Sequence, residues 1–132
     1  MSESEWSDYT FRICAGIDLD AVRFNMESMH RNLQENVQMT AVVKADGYGH
    51  GAVPIAREIE DFPYLWGFAT ATYEEAVQLR ESGIVKPILI LGYVFPYCYE
   101  GLAGLELRPA LFRKDMIPQL AAAAEKTGKK IH

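Results

Sequence analysis

Residues 39–51, Met39-Thr-Ala-Val-Val-Lys-Ala-Asp-Gly-Tyr-Gly-His-Gly51, pass from one kind of sequence to another without a break. Met39 to Lys44 (MTAVVK) is short, apolar and β-branched, the pattern of a buried strand. Ala45 to Gly51 (ADGYGHG) places glycines at 47, 49 and 51 and reads as a loop. Pro54 then sits where a first helical turn tolerates it, which predicts a helix through Glu60. The unit is strand, glycine-rich loop, helix.

The same alternation extends in both directions. Upstream, Arg12 to Leu19 (RICAGIDL) reads as a short strand. Asp20 is placed to cap a helix whose apolar residues Val22, Met26, Met29 and Leu33 recur every three or four positions. Gln34 to Gln38 is a polar break. Downstream, Tyr64 to Ala69 (YLWGFA) is the next apolar strand. Thr72 and Glu75 have capping-box spacing at the head of a helix that stops at Gly83. Pro87 to Leu91 (PILIL) is uncharged throughout, as a strand covered on both faces should be. Leu107 to Phe112 (LRPALF) is a weaker strand with Pro109 inside it. Asp115 is placed to cap an alanine-rich helix ending at Gly128, and Ile131 and His132 read as the start of a fifth strand. Residues 1–10 read as an acidic, flexible tail, leaving 11–132 as the folded part.

Strands and helices in this order imply right-handed βαβ units and a parallel sheet. Two α/β architectures fit: an open doubly wound sheet, or a partial (β/α)8 barrel with about four parallel strands and intervening helices. A whole barrel takes about 200–250 residues, so 132 hold about half of one.

Composition narrows the function. The chain is 49% hydrophobic and 23% charged, too apolar to remain unfolded. Thirteen basic against eighteen acidic side chains give a net charge of −5, which argues against a nucleic-acid or anionic-membrane partner. The longest uncharged run, Pro87 to Tyr99, is broken by Gly92 and Pro96 and is shorter than the roughly 20 residues a bilayer needs. The opening MSESEWSDYT has the character of neither a secretory signal nor a transit peptide. Cys14 and Cys98 form no disulfide framework or metal cluster and read as two partly buried free thiols in a reducing cytoplasm.

Lys44 carries the most chemistry. In parallel α/β folds, side chains at the carboxyl ends of strands reach the active-site face. Partial desolvation there favours the neutral amine, which can attack an aldehyde. The competing reading is a strand-end lysine turned out to solvent. Tyr48 offers a phenol that can donate to a phosphate oxygen beside glycine amides, or it is a loop aromatic packed on a neighbouring helix. The glycine spacing matches neither the P-loop nor the dinucleotide fingerprint. His50 lacks a nearby partner at metal-ligand spacing and is read as ordering the loop by hydrogen bonding.

VVKADGYGHG strongly resembles the pyridoxal-phosphate lysine motif of the alanine racemase family, with Gly47 where alanine is commoner. IDLDAVRFNM, WGFATATYEEAVQLRESG and PILILGY resemble that family's first barrel helix, second strand and helix, and third strand. The resemblance runs from about Ile17 to His132. It implies that Lys44 binds the aldehyde of pyridoxal 5'-phosphate covalently and is catalytic, that Tyr48 hydrogen-bonds the cofactor phosphate, and that Leu91 lines the pocket beside the ring. It implies a homodimeric racemase interconverting L- and D-alanine, in D-alanine biosynthesis for the cell wall. The family's second proton carrier is a tyrosine of the partner subunit, and two arginines and most phosphate-binding loops also fall beyond the matched region. The expectation is therefore an amino-terminal third, inactive alone and prone to self-association through open strand edges. The alternatives are a racemase of another amino acid such as serine, a pyridoxal-phosphate-binding barrel protein without racemase activity, and a domain with no function of its own.

Overall fold

A computed structural model describes residues 13–132. The acidic stretch 1–10, read above as a tail, lies outside the described residues. Four strands form one parallel sheet: β1 (Met39–Val42), β2 (Leu65–Thr70), β3 (Ile88–Ile90) and β4 (Arg108–Pro109), adjacent in the order β1-β2-β3-β4. The helices are α1 (Leu19–Arg31), a short turn α2 (Lys44–Tyr48), α3 (Ala52–Ile59), α4 (Tyr73–Glu81), α5 (Tyr99–Gly104) and α6 (Met116–Thr127).

Strand order decides between the two architectures. A doubly wound sheet reverses order at a switch point and carries helices on both faces. Here each strand pairs with the next in sequence, through a helical crossover. The register couples Ala41 to Phe68 and Phe68 to Ile88, and Thr70 to Ile90. Phe68, Ile88 and Ile90 are fully buried in one core with Ala56, Ile59, Ala76, Leu79 and Leu102 of the helices. The alternate set, Thr40 and Val42 with Gly67, Ala69 and Leu89, lies on the opposite face. Val42 on that face is 43% exposed. One helix-clad face and one uncovered face, wound in sequence, is the construction of a (β/α)8 barrel wall.

Close approach of neighbouring segments explains one glycine. A Cβ on Gly67 would fall 2.2 Å from the Pro87 carbonyl oxygen, which accepts the Phe68 N–H at 2.8 Å.

Several sequence expectations need correction. Of the first predicted strand, Arg12 to Leu19, the residues Ile13 to Asp18 belong to no ladder and Leu19 opens α1, and Ile13 is exposed. Asp18 is extended (φ −85°, ψ 103°), but its carboxylate accepts the Ala21 N–H at 3.0 Å, so Asp18, not Asp20, caps α1. At Asp18 the carboxylate engages the first turn of α1, and the chain enters the helix with no strand before it. Of Leu107 to Phe112, only Arg108–Pro109 is strand, the two residues that face Leu89 and Ile90 of β3, with the Ala110 N–H donating to the Ile90 carbonyl at 3.0 Å. Ile131 and His132 are not strand. Asp115 does occupy the N-cap of α6, but its carboxylate pairs with Arg113 at 2.7 Å instead of capping. Cys14 is exposed and Cys98 buried. The segment Pro96–Cys98, a 3-10 turn, and α5 were missed: six residues with two glycines carry too little periodicity to read.

Candidate active site

The carboxyl ends of β1, β2 and β3 meet at one rim. Lys44 follows β1 after one residue, Val43, and is half-buried, with Nζ 5.9 Å from the centroid of the Tyr48 ring. Tyr48 is 61% exposed. Leu91 follows β3; its N–H donates to the Thr70 carbonyl at 2.8 Å, continuing the ladder to the same rim. Leu91 is 47% exposed and stands two residues beyond Leu89, in phase with the uncovered face. The structure thus brings Lys44 and Tyr48 together and puts Leu91 at the end of the strand two places across the sheet.

The backbone that carries Lys44 is unusual. Ala45, Asp46 and Gly47 have φ of 52°, 53° and 62° with ψ of 47°, 48° and 36°, and Tyr48 has φ 57°. These are left-handed helical torsions, repeated through a whole turn and closed by bonds from the Gly47 N–H to the Val43 carbonyl (2.9 Å) and the Gly49 N–H to the Ala45 carbonyl (3.0 Å). Each non-glycine residue so held costs roughly 1–2 kcal/mol. Strain of this size persists only where the surroundings over-determine it, and such places concentrate at functional sites.

Three side chains do the holding. The Asp46 carboxylate accepts the Ala52 N–H at 2.8 Å, so it caps α3 from within the loop. His50 Nδ1 lies 3.0 Å from the Gly47 carbonyl and 3.2 Å from that of Tyr48, the loop-ordering role read from the sequence. The Glu75 carboxylate accepts the Ala45 N–H at 2.8 Å through Oε1, and the Ala71 and Thr72 N–H groups at 2.7 and 3.3 Å through Oε2. The capping box of α4 was legible in the Thr72–Glu75 spacing. The reach of Glu75 to Ala45, 30 residues back, leaves no mark in a single sequence.

No group of three or more histidine, cysteine or acidic side chains suited to a metal occurs among the described residues. A cavity of about 560 Å³ lies away from this rim, at the amino ends of β3 and β4 between Arg80, Ile84, Leu105 and Arg108. Its Arg80 guanidinium is occupied by the carbonyls of Leu105 (3.1 Å), Lys86 (3.2 Å) and Ile84. Neither Lys44 nor Tyr48 lines this cavity.

A sequentially wound parallel half-barrel with an amine at the carboxyl end of β1 defines the class: a barrel-type protein whose rim carries a lysine. Within that class the chain matches the alanine racemase N-terminal domain over residues 17–132 and belongs to that family. It is 39% identical over 116 residues to alanine racemase 1 of Oceanobacillus iheyensis, covering 86% of this chain and 30% of that protein. Among solved structures it resembles an alanine racemase of Clostridium difficile 630 in complex with cycloserine (TM-score 0.88, 31% identity, 95% of this chain and 35% of that one). It also resembles a histidine racemase from Leuconostoc mesenteroides subsp. sake (TM-score 0.74, 26% identity, 86% and 30%). The chain spans about a third of the length of these relatives.

Proposed function

We propose that this chain supplies the lysine-bearing part of a pyridoxal-phosphate-dependent racemase acting on alanine. The observation that most supports this is Lys44, an amine at the carboxyl rim beside Tyr48 on a strained, triply braced turn.

The donor set suits the cofactor. A primary amine matches an aldehyde, a phenol matches a phosphate, and the uncovered aliphatic face of Val42, Leu89 and Leu91 matches a flat heteroaromatic ring. When bound, pyridoxal phosphate supplies an electron sink for the charge left as an α-proton departs. Lys44 would hold the cofactor covalently, and its amine would take or return the proton on one face of the substrate α-carbon. Tyr48 would donate its hydroxyl to the phosphate. Leu91 would keep water from the ring. One amine serves one face, so inversion needs a second proton carrier opposite, and we assign that group to the partner in a homodimer, within the part of the relatives' length that these 132 residues do not span. Free thiols at Cys14 and Cys98 accord with a reducing, cytoplasmic setting. No helix among the described residues is long and apolar enough to cross a membrane. The likeness to a histidine racemase supports a second reading, in which the same half-barrel serves a different amino acid.

Two measurements test the proposal. Pyridoxal phosphate added to the purified chain should give a bound chromophore that Lys44→Ala abolishes, while the thermal midpoint stays nearly unchanged, since Lys44 makes no ion pair among the described residues. The 132-residue chain supplied with L-alanine and cofactor should form no D-alanine above the blank. An unchanged chromophore in Lys44→Ala refutes the assignment of the amine; turnover by the chain alone refutes the need for a second carrier.

A further inference from the structure

Glu75 belongs to α4, which follows β2, yet its carboxylate also serves the loop after β1. Capping α4 requires only the bonds between Thr72 and Glu75. The other two bonds, from Ala45 N–H at 2.8 Å and Ala71 N–H at 2.7 Å, go to the first residues beyond Lys44 and beyond Thr70 at the end of β2. One half-buried carboxylate therefore ties two strand ends of the rim together. Bonds to an ionised acceptor are roughly twice as strong as neutral ones. The Ala45 N–H belongs to the peptide plane it shares with Lys44. Fixing it fixes ψ of Lys44 and φ of Ala45, the torsions at which the chain leaves β1 for the left-handed turn. Those torsions set where the Lys44 side chain departs from the backbone.

We propose that Glu75 is a positioning residue for Lys44, holding the Lys44–Ala45 peptide so that the amine is presented at the rim. This deepens the function proposed above and rests on Lys44 being the amine that takes the cofactor. Glutamine at this position keeps a single acceptor oxygen and can satisfy one strand end, not both. A purely capping role is separable, because Thr72→Ala removes the hydroxyl that accepts the Glu75 N–H at 3.3 Å and leaves the tie to Ala45 in place.

The test follows amide hydrogen exchange at Ala45 by NMR in the wild-type chain and in Glu75→Ala, Glu75→Gln and Thr72→Ala. The same four proteins are treated with pyridoxal phosphate and borohydride, and the adduct is apportioned among lysines by peptide mapping. In that labelling the lysine nitrogen bonds to the aldehyde carbon with loss of one water, and hydride from borohydride fixes the product as a secondary amine. Loss of the tie should speed Ala45 exchange by about tenfold or more in Glu75→Ala relative to Thr72→Ala. It should also lower the Lys44 share of the adduct severalfold, with Glu75→Gln between. Thr72→Ala should keep wild-type exchange at Ala45 and wild-type Lys44 labelling despite a lower thermal midpoint. Equal Ala45 exchange in Glu75→Ala and Thr72→Ala overturns the proposal, and Glu75→Gln decides it if the alanine variant does not fold. Faster exchange with an unchanged Lys44 share overturns it too. Failure of the underlying function looks different: wild-type protein then shows no preference for Lys44 while Ala45 exchange still depends on Glu75.

Discussion

At Gly47 the left-handed turn meets its packing limit. Its φ is +62°, and a Cβ there would lie 3.3 Å from both the Ala52 nitrogen and Ile55 Cδ1. Ala45, Asp46 and Tyr48 already hold positive φ with side chains, so the turn accepts them at a cost. Gly47→Ala adds one more strained residue and a tight contact, and should destabilise the chain by about 1 kcal/mol, read as a lower urea midpoint at unchanged slope. A midpoint at or above wild type would mean that the turn is not strained as its torsions indicate. The sequence placed Lys44, Tyr48 and His50 in one loop because strand end, glycines and aromatic are local signals. It did not disclose the handedness of the turn, since that is set by Asp46 reaching Ala52 and Glu75 reaching Ala45, contacts made only after folding.

Elements were legible where one rule acted alone. The α4 capping box and the C-terminal glycine Gly128 of α6, at φ 66°, follow from spacing and residue type. They are harder to read where two rules compete, as at Asp18, where a capping carboxylate follows an apolar run; β4 is short because only Arg108 and Pro109 face β3, a pairing that no local pattern states. The Pro96–Gly104 segment was not seen at all, yet it places Cys98 and Tyr99 in the core at 7% and 3% exposure. Burial pushes the Cys98 thiol and the Tyr99 phenol above their ordinary values, because the fold favours their neutral forms. For such groups the stabilisation is complete below the unfolded-state values, about 8.5 for a thiol and about 10 for a phenol, and is lost as pH rises through the folded ones. The thermal midpoint should therefore fall between pH 7 and pH 10.5, and amides of α5 should lose exchange protection before those of α3. A flat midpoint over that range would contradict this.

For the molecule as a whole, the uncovered sheet face governs behaviour. Val42 and Leu91 on that side, with Tyr93, Leu111 and Phe112 in the segments that follow β3 and β4, are 39–60% exposed. Beside β4 a groove of about 240 Å³ is lined by Pro109, Leu111, Ile117 and Leu120. β1 and β4 are edge strands of the sheet. Apolar surface next to unpaired edges drives association, so the 132-residue chain should sediment with a concentration-dependent mass above that of a 14.9 kDa monomer. A single monomeric species at every concentration would show that these surfaces are satisfied within one copy. The choice of barrel over doubly wound sheet belongs to this scale too. Periodicity alone left it open, since both wind βαβ units of the same hand; the resemblance around Lys44 favoured the barrel, and strand order decided it.

The central claim is that Lys44 is the amine built for pyridoxal phosphate. Titrating the folded chain with substoichiometric cofactor, reducing with borohydride and mapping the peptides tests it most directly. The account predicts the adduct on the peptide containing Lys44, ahead of exposed Lys114, Lys129 and Lys130. Label spread over these lysines according to their exposure, with Lys44 no more than its share, would contradict it.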